Sequence, residues 1–378
     1  MAKTPRVERY IGLMSGTSLD GVDAALVEFT SATTFSVADT LFTPYSAKQQ
    51  GELLKLFTPG NNEIDVMGQQ CRSLGSFFAT ATNNLVQKAG LQPEDICAIG
   101  SHGQTIRHRP EFKSPFTLQI GDPNTIAHNT GITTIADFRR KDIAAGGQGA
   151  PLAPAFHQAI FHHEDEDRVV INIGGIANIT WVPSDKNLLC TGFDTGPGNG
   201  LLDLWCKKHT GNNYDKQGEW AKSGTPIKSL LQELLAFQYF DSPPPKSTGK
   251  EQFNEEWLNR YLGPYSTNKP EDIQATLLEL TISNLKYAID TYCCNASHLY
   301  VCGGGALNTH LMERLTNACD IPTSSTHDLG VDPEWVEAIA FAWLARQTKH
   351  NLTSNLPSVT GATQPVILGG IYPGKNGL

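Results

Sequence analysis

The stretch "YIGLMSGTSLDGVDAALVEF" (residues 10–29) consists of an apolar strand, a short run of Gly, Ser, Thr and Asp, and a second apolar strand. Such a turn lacks bulky side chains, so its backbone N–H groups can converge on a phosphate while hydroxyl groups add further donors. The residues that supply these groups are Ser15, Gly16, Thr17, Ser18 and Gly21. The stretch predicts a phosphate-binding hairpin, although glycine turns after strands are common in α/β proteins and usually need no ligand.

Two further glycine clusters follow later in the chain, and one of them repeats this arrangement. "VVINIGGIANITWV" (169–182) again reads as strand, Gly-rich turn and strand, and "LYVCGGGALN" (299–308) places glycines between a strand and a helix. Either hairpin alone could need its Gly and Asn only to form a tight turn. Because the two hairpins each lie early in one half of the chain, their recurrence favours a duplicated domain plan with a cleft between the copies.

Composition limits the class of protein. A chain of 378 residues exceeds what one hydrophobic core usually serves, so two domains or one elaborate α/β unit are expected. Strand-like and helix-like stretches alternate throughout, including a helix start at Asp122–Pro123, a long amphipathic helix over 271–293 and a helix opening at 332–334. These features predict an α/β fold.

The same composition argues against several partners and compartments. The formal net charge is −9 and no basic stripe occurs, so nucleic acid is not an expected partner. No apolar window reaches the length of a membrane span, and the first ten residues precede no apolar signal region, which favours the cytoplasm. The eight cysteines are scattered without CxxC spacing and are interpreted mostly as reduced core residues.

Familiar nucleotide and metal motifs are incomplete. The glycines at 303–305 lack the final Gly of G-x-G-x-x-G, and the Walker A-like spacing of Gly369, Gly374 and Lys375 is followed by Asn376 in place of Ser or Thr. The histidines do not form a helical H-E-x-x-H pair, which disfavours a metal hydrolase. Neither a Rossmann nor a P-loop protein is predicted.

A carboxylate stands out in "CTGFDTGPGNGLLDLW" (190–205). Asp194 lies where a strand leads through a Gly-rich turn into a helix that ends near Gly211. At such a corner it is equally an N-cap of the helix or a general base. Asp203, one turn inside the helix, is interpreted as structural.

Taken together, the order of the motifs resembles the superfamily of hexokinase, actin and the heat-shock chaperone ATPases. The motifs from residue 11 to residue 345 are more closely similar to those of the anhydro-N-acetylmuramic acid kinase family: "IGLMSGTSLDGVD", "SHGQT", "QIGD", "ADFR", "AAGGQGAPL", "NIGGIAN", "GFDTGPGN", "GGGALN" and "WVEAIAFAWLA". The resemblance implies a two-domain actin-like, hexokinase-like ATPase fold with a duplicated βββαβα plan and an interdomain cleft. We expect residues 1–133 with 362–378 to form the first domain and 134–361 the second.

This resemblance also implies an activity. The family uses ATP and water to convert 1,6-anhydro-N-acetylmuramic acid into N-acetylmuramic acid 6-phosphate, in cytoplasmic recycling of bacterial peptidoglycan, and suggests a homodimer. Asp194 matches the family's base, which deprotonates a water that attacks the anomeric carbon while O6 attacks the γ-phosphate. Asp20 and Asp23 are candidates to hold Mg²⁺ through water. The implied nucleotide-binding residues are Gly16, Thr17, Ser18, Leu19, Asp20, Gly21, Val22, Asp23, Gly174, Gly175, Asn178, Gly304, Gly305 and Asn308.

Four residues are candidates for contact with the sugar. Arg139 could clamp the lactyl carboxylate or form a surface ion pair, and Glu337 could face the sugar or pair with an arginine. Asp122 could contact the sugar or only cap a helix, and His102 follows an apparent strand. Two other functions stay open at this stage: a kinase for an ordinary hexosamine, and a nucleotide-gated binding module.

Overall fold

The hairpin of residues 10–29 opens the first of two β-meanders in this fold. The computed structural model describes residues 7–16 and 18–375. Their strands are, in chain order, β1 (Glu8–Ser15), β2 (Gly21–Phe29), β3 (Phe35–Pro44), β4 (Ala98–Arg109), β5 (Phe116–Ile120), β6 (Thr134–Ala136), β7 (Arg168–Ile173), β8 (Ile176–Val182), β9 (Thr191–Pro197), β10 (His298–Cys302), β11 (Thr323–Ser325) and β12 (Gly370–Tyr372).

These strands form two sheets of related topology. The first has the order β12-β6-β4-β1-β2-β3, with β5 paired to β4, and the second has the order β11-β10-β7-β8-β9. In each sheet three consecutive strands pair antiparallel, and the first of them also pairs in parallel with a later strand, β4 or β10. The expected α/β fold and its duplicated plan are therefore confirmed.

Helices connect and cover the sheets. Short 3₁₀ turns lie at Pro93–Asp95, Lys216–Gly218, Gly263–Tyr265, Gly304–Leu307 and Thr326–Leu329. The α-helices are α1 (Ala47–Leu54), α2 (Glu63–Lys88), α3 (Pro123–Thr130), α4 (Phe138–Ala144), α5 (Ala153–Phe161), α6 (Asn199–Thr210), α7 (Glu219–Ser223), α8 (Lys228–Leu235), α9 (Gln238–Asp241), α10 (Glu255–Leu262), α11 (Pro270–Tyr292), α12 (Thr309–Cys319), α13 (Val336–Lys349) and α14 (Pro357–Thr360). Within the described ranges, no helix combines the length and apolar character needed to cross a bilayer.

The chain divides into two units by its internal contacts. One unit comprises the described residues up to Ile160 together with those from Glu337 onward, and the other is Phe161–Val336. The boundaries expected from sequence, at 133/134 and 361/362, differ from these. Residues 134–160 group with the first unit because β6 pairs with β4, which continues the first sheet.

In the first unit, α13 lies directly against the sheet. A Cβ atom on Gly12 of β1 would lie 1.8 Å from the carbonyl oxygen of Ala338, and one on Gly100 of β4 would lie 2.0 Å from that of Phe341. Glycine at both positions therefore lets the helix backbone rest on the strands. The sequence places the start of this helix at 332–334, which is wrong: the helix begins at Val336, because Asp332 accepts a hydrogen bond from the Glu334 amide in a preceding turn.

In the second unit, α11 is the central helix of the core. It confirms the amphipathic helix predicted over 271–293, and it buries Leu277, Leu280 and Leu285. The same core contains an aromatic cluster. The Phe237 ring contacts the rings of Phe240, Phe253 and Trp257, and the Phe253 ring also contacts those of Phe240 and Trp257. All eight cysteines are free thiols, and five of them are buried.

Candidate active site

The turn of the first hairpin is braced from inside. The hydroxyl of Ser15, only 1% exposed, lies 2.9 Å from the Gly21 carbonyl oxygen, 2.8 Å from the Tyr45 hydroxyl and 2.7 Å from Gln104 Oε1. Gln104 Nε2 in turn donates to the Gly16 carbonyl at 3.1 Å. The Ser15 side chain thus fixes the turn rather than facing outward as a phosphate donor.

Beyond this brace, the turn presents small polar groups at the surface. Ser18 and Asp20 are exposed, and Asp20 Oδ1 accepts hydrogen bonds from the Ser18 hydroxyl at 2.6 Å and the Gly21 amide at 3.1 Å. Leu19 is buried in a left-handed conformation at φ 59°, which anchors the turn to the core. Thr17 lies outside the described residues.

The second strand of this hairpin carries the remaining predicted residues. Val22 is fully buried and can offer a ligand only its backbone, whereas Asp23 is partly buried. No group of three or more His, Cys, Asp or Glu residues among 7–16 and 18–375 is arranged to hold a metal. A Mg²⁺ ion at Asp20 and Asp23 would therefore take most of its ligands from water and phosphate, which is how this ion usually binds.

In the second unit, the turn of the β7–β8 hairpin is bonded to the start of α6. The amides of Gly198 and Gly200 donate to the Gly175 carbonyl at 3.1 Å each, and the Asn199 amide donates to the Gly174 carbonyl at 2.7 Å. A Cβ atom would lie 2.5 Å from Gly174 O if added to Gly198, and 2.7 Å from Gly175 O if added to Gly200. Gly198 and Gly200 of "GPGNG" are thus required by this close approach, which the sequence does not reveal.

The third glycine cluster lies against the same hairpin. β10 runs parallel to β7, with Cys302 paired to Asn172. Gly303, at φ 75°, and Gly305 have no room for side chains, because added Cβ atoms would lie 2.4 Å from Asn172 Oδ1 and from Ile173 Cβ respectively. The structure therefore brings the second and third glycine clusters together at one end of the second sheet.

Two other predicted residues of this unit have defined positions. Gly304 is exposed, and an added Cβ atom there would meet Asn199 Nδ2 only at 3.6 Å, so its backbone can be approached from outside. The side chain of Asn308 caps α12 by accepting the Leu311 amide at 3.0 Å. Asn178 on β8 pairs with Asp194 on β9.

Asp194 makes three hydrogen bonds with residues 239–248, a segment later in the chain. Its amide donates to the Lys246 carbonyl at 3.3 Å, its carbonyl accepts the Tyr239 hydroxyl at 2.8 Å, and its Oδ2 accepts the Thr248 amide at 2.9 Å. The interpretation of Asp194 as a helix N-cap is wrong, because β9 continues to Pro197 and Gly198 occupies the N-cap of α6.

Sequence reasoning missed the role of this segment. "DSPPPKSTGK" reads as a surface loop because consecutive prolines end helices and strands. The segment is indeed irregular, but Lys246 is only 9% exposed. Burial lowers the pKa of Lys246 to about 8, although Asp241 and Asp194 act in the opposite direction. The contacts join residues far apart in the chain, so no local spacing predicts them.

In the first unit, two of the sugar candidates contact one another. Arg139 on α4 donates from Nε and Nη2 to Nε2 of His102 on β4, at 3.2 and 3.0 Å, and from Nη1 to the Gly149 carbonyl at 2.8 Å. Burial, reinforced by the Arg139 charge, lowers the pKa of His102 to about 3. His102 is therefore a neutral imidazole that accepts at Nε2 and carries its proton on Nδ1.

The other two sugar candidates lie at helix starts. Asp122 caps α3 by accepting the Asn124 and Thr125 amides at 3.1 Å each, which confirms the predicted helix start. Burial raises the pKa of Asp122, but hydrogen bonds from Thr125 and Asn124 outweigh it and leave the pKa below its usual value. Glu337 lies in the first turn of α13, where the helix dipole favours a carboxylate.

Asp203 on α6 has an unusual environment for a carboxyl group. Burial raises its pKa to about 7, with nearby Asp215 acting in the same direction and Lys250 against it. The group is therefore partly protonated near neutral pH, in the helix whose first amides bond to the second hairpin.

Comparison with known proteins adds independent information. The anhydro-N-acetylmuramic acid kinase family model matches residues 8–374. The anhydro-N-acetylmuramic acid kinase of Coxiella burnetii (strain Dugway 5J108-111) is 50% identical over 369 residues, covering 97% of this chain and 98% of the relative. That of Shewanella sp. (strain MR-4) is 52% identical over 367 residues, covering 97% and 99%.

A solved structure is similar at a greater distance. The activator of the 2-hydroxyisocaproyl-CoA dehydratase from Clostridium difficile with bound ADPNP has a TM-score of 0.47 and 12% identity, covering 91% of this chain and 98% of that one. This similarity is too distant to bear on function. The sequence relatives and the two-sheet α/β fold define the class of protein as a carbohydrate kinase. More particularly, the chain belongs to the anhydro-N-acetylmuramic acid kinase family.

Proposed function

We propose that this protein uses ATP to open 1,6-anhydro-N-acetylmuramic acid hydrolytically and to phosphorylate O6, giving N-acetylmuramic acid 6-phosphate and ADP. The observation that carries the proposal is the placement of Asp194. The chain belongs to this family, and Asp194 lies on β9, the strand that pairs with β8 of the second glycine hairpin. The Thr248 amide holds its carboxylate. A general base must be held in a fixed direction toward the water that it deprotonates.

The chemistry explains why such a base is needed. In the anhydro sugar, O6 is bonded to the anomeric carbon and carries no proton, so it is a poor nucleophile until that bond breaks. Asp194 accepts a proton from water as the water oxygen bonds to the anomeric carbon. The C1–O6 bond breaks in the same step, and O6 keeps the electron pair of that bond. O6 uses this pair to attack the γ-phosphorus, and the bond between that phosphorus and the bridging oxygen of ADP breaks, releasing ADP.

Phosphate binding is assigned to the glycine turns. Backbone amides of the first hairpin, from Gly16 to Asp23, hold the phosphates, and Gly174, Gly175, Asn178, Gly304, Gly305 and Asn308 contribute to the nucleotide site. Mg²⁺, when bound near Asp20 and Asp23, supplies charge neutralisation for phosphoryl transfer. The exposed positions of Ser18, Asp20 and Gly304 support this assignment.

Recognition of the sugar is assigned to the first unit. Arg139 pairs with the lactyl carboxylate, because a guanidinium group binds a carboxylate with two parallel hydrogen bonds. Neutral His102 supports this role, since it orients the guanidinium without competing for the anionic substrate. Asp122 and Glu337 are assigned further hydrogen bonds to the sugar.

One assay with isotopic labelling tests the function. The protein is incubated with ATP and Mg²⁺ in ¹⁸O-labelled water, with anhydro-N-acetylmuramic acid, N-acetylmuramic acid or glucose as acceptor. We expect ADP release with the anhydro sugar above the other two acceptors, and one ¹⁸O atom at the anomeric carbon of the product. Phosphorylation of N-acetylmuramic acid without preference for the anhydro sugar would instead indicate an ordinary hexosamine kinase.

The biological setting follows from the same proposal. We assign the protein to cytoplasmic recycling of peptidoglycan, acting as a homodimer on a small sugar and ATP, with no nucleic-acid or membrane partner. The family resemblance supports this setting. Light scattering coupled to size-exclusion chromatography should give about twice the mass of the 41.1 kDa chain, and a mass of one chain would contradict the dimer.

A further inference from the structure

Lys246 is a buried cation that the reaction described above does not use. Its Nζ donates to the carbonyl oxygens of Tyr239 at 3.2 Å and Phe240 at 3.0 Å. It also lies over two aromatic rings, 4.8 Å from the centroid of Tyr239 and 5.6 Å from that of Phe193. Because burying an ammonium group is costly unless it is bonded, these contacts need a reason beyond the folding of a loop.

The groups around Lys246 include direct neighbours of Asp194. Phe193 precedes Asp194 on β9, and the Tyr239 hydroxyl donates to the Asp194 carbonyl. The Lys246 carbonyl accepts the Asp194 amide, and the Thr248 amide donates to the Asp194 carboxylate. The ammonium group therefore joins the end of α9 to the segment whose backbone fixes both the main chain and the carboxylate of Asp194.

We propose that Lys246 is a positioning residue for the general base: by tying residues 239–240 to residues 246–248, it fixes the direction of the Asp194 carboxylate and so sets the rate of the water-attack step. This inference rests on the proposed function, because it gives Asp194 the role of base. Thr248 contributes further order, since its hydroxyl donates to Gln252 Oε1 at 2.6 Å. A side chain that only filled space at this position would not need a charge.

Several charged groups face this arrangement. Lys246 interacts electrostatically with Asp241 of α9 and with Asp194 of β9. Burial raises the pKa of the Tyr239 hydroxyl, and the charges of Asp194 and Glu251 act in the same direction. Lys246 is the cation among these groups. Its removal should disfavour the ionised form of the neighbouring carboxylate, so the acidic limb of the rate profile should move to higher pH.

The test compares Lys246→Met with Lys246→Arg and with the exposed control Lys228→Met on α8. For Lys246→Met, we expect kcat with the anhydro sugar to fall about 10- to 100-fold, because a small misplacement of a catalytic group has an effect of this size. The KM for ATP should stay within about twofold of that of the unmodified protein. The acidic limb of the plot of kcat against pH should shift to higher pH. Lys246→Arg should recover part of the lost rate, and Lys228→Met should match the unmodified protein.

A second variant keeps the inference testable if Lys246→Met does not fold. Tyr239→Phe retains the ring beneath the ammonium group and removes only the hydroxyl that donates to Asp194. We expect a several-fold fall in kcat with an unchanged KM for ATP. Full activity and an unshifted pH profile in folded Lys246→Met, or in Tyr239→Phe, would overturn the positioning role. No activity of the unmodified protein on the anhydro sugar would instead overturn the proposed function.

Discussion

At the scale of single residues, Asp194 combines two properties that a catalytic carboxylate needs. Its main chain is fixed by Tyr239 and Lys246, and the Thr248 amide orients its Oδ2. A backbone donor is a suitable orienting group because, unlike a side chain, it cannot rotate away. Rigid placement of this kind allows a conservative substitution to separate geometry from chemistry.

The substitution Asp194→Asn should remove the proposed base and keep the geometry. The amide oxygen can still accept from the Thr248 N–H, but it cannot take a proton from water. We expect kcat for phosphorylation of the anhydro sugar to fall about 10²- to 10⁴-fold, which is the usual contribution of a general base. Calorimetric titration should give nucleotide affinity within about twofold of the unmodified protein; activity near the original level would refute the assignment.

Buried histidines give the fold a dependence on pH. Burial lowers the pKa of His157 on α5 to about 3, and burial together with Arg139 does the same for His102. The unfolded chain binds a proton at each of these histidines below about pH 6.5. Between that pH and about 3 the folded state does not, so the free energy of unfolding must fall as the pH falls through this window.

His157→Phe should make the protein less sensitive to acid. From pH 7.5 to pH 5, one such histidine should lower the free energy of unfolding by about 2 kcal/mol, and the variant should lack this contribution. Urea unfolding at the two pH values measures the difference, with pH 7.5 as the internal reference at which the imidazole is neutral in both states. An unchanged pH dependence in the variant would show that His157 is protonated in the folded protein.

At the scale of secondary-structure elements, close backbone contacts explain glycines that a motif search assigns to turns or ligands. Gly12 lies inside β1 and Gly100 inside β4, and both admit the backbone of α13. Gly198 and Gly200 likewise admit the second hairpin to the start of α6. In each case the space belongs to another element, distant in sequence, and not to a ligand.

Gly12→Ala should therefore be strongly destabilising. The added methyl group would overlap the Ala338 carbonyl, and backbone atoms cannot move aside as a side-chain end can, so we expect a loss of about 3 kcal/mol or more. Gly68→Ala in α2 is the matched control, because an added Cβ atom there meets nothing within 4 Å. It should stabilise by about 0.5–1 kcal/mol. Equal unfolding midpoints for the two variants would contradict the contact.

What the sequence could predict at this scale depended on local patterns. Apolar runs around Gly-rich turns correctly identified both hairpins, and helical periodicity identified α11. The start of α13 was placed too early, because Asp332 and Pro333 form a turn that resembles a helix cap. The support of Asp194 by residues 239–248 could not be predicted, since those contacts depend on tertiary folding and not on spacing.

At the scale of the whole molecule, the two units have separate hydrophobic cores. Leu26, Phe78 and Leu85 belong to the core of the first unit, and Leu277 and Trp257 belong to that of the second. Free energies of local opening vary across a structure in cooperative blocks, which often follow such cores. Each unit is therefore expected to respond chiefly to changes in its own core.

Leu277→Ala should weaken the second unit selectively. Removal of a fully buried leucine side chain costs about 2–5 kcal/mol. Hydrogen exchange of the variant and the unmodified protein is followed by mass spectrometry. The variant should show a larger acceleration of exchange in segments of Phe161–Val336 than in the strands of the first sheet. Leu26→Ala is the reciprocal control, with faster exchange in the first unit. Uniform acceleration across both units in either variant would contradict separate cooperative blocks.

The family and its duplicated plan were predictable because they depend on ordered motifs that span most of the chain. The grouping of residues 134–160 and 337–361 was harder to predict, because it depends on which sheet and which strands these residues pack against. The pairing of His102 with Arg139 joins two residues that the sequence singled out separately. Their contact requires α4 to lie near β4, which the sequence does not specify.

The course of the chain through the two units has a consequence during synthesis. In the first sheet, β12 pairs with β6, although β12 follows the whole second unit in the chain. A ribosome therefore releases all of Phe161–Val336 before this strand is available. Until then, β6 in the nascent protein is an open edge to which a chaperone or another unfinished chain can add a strand.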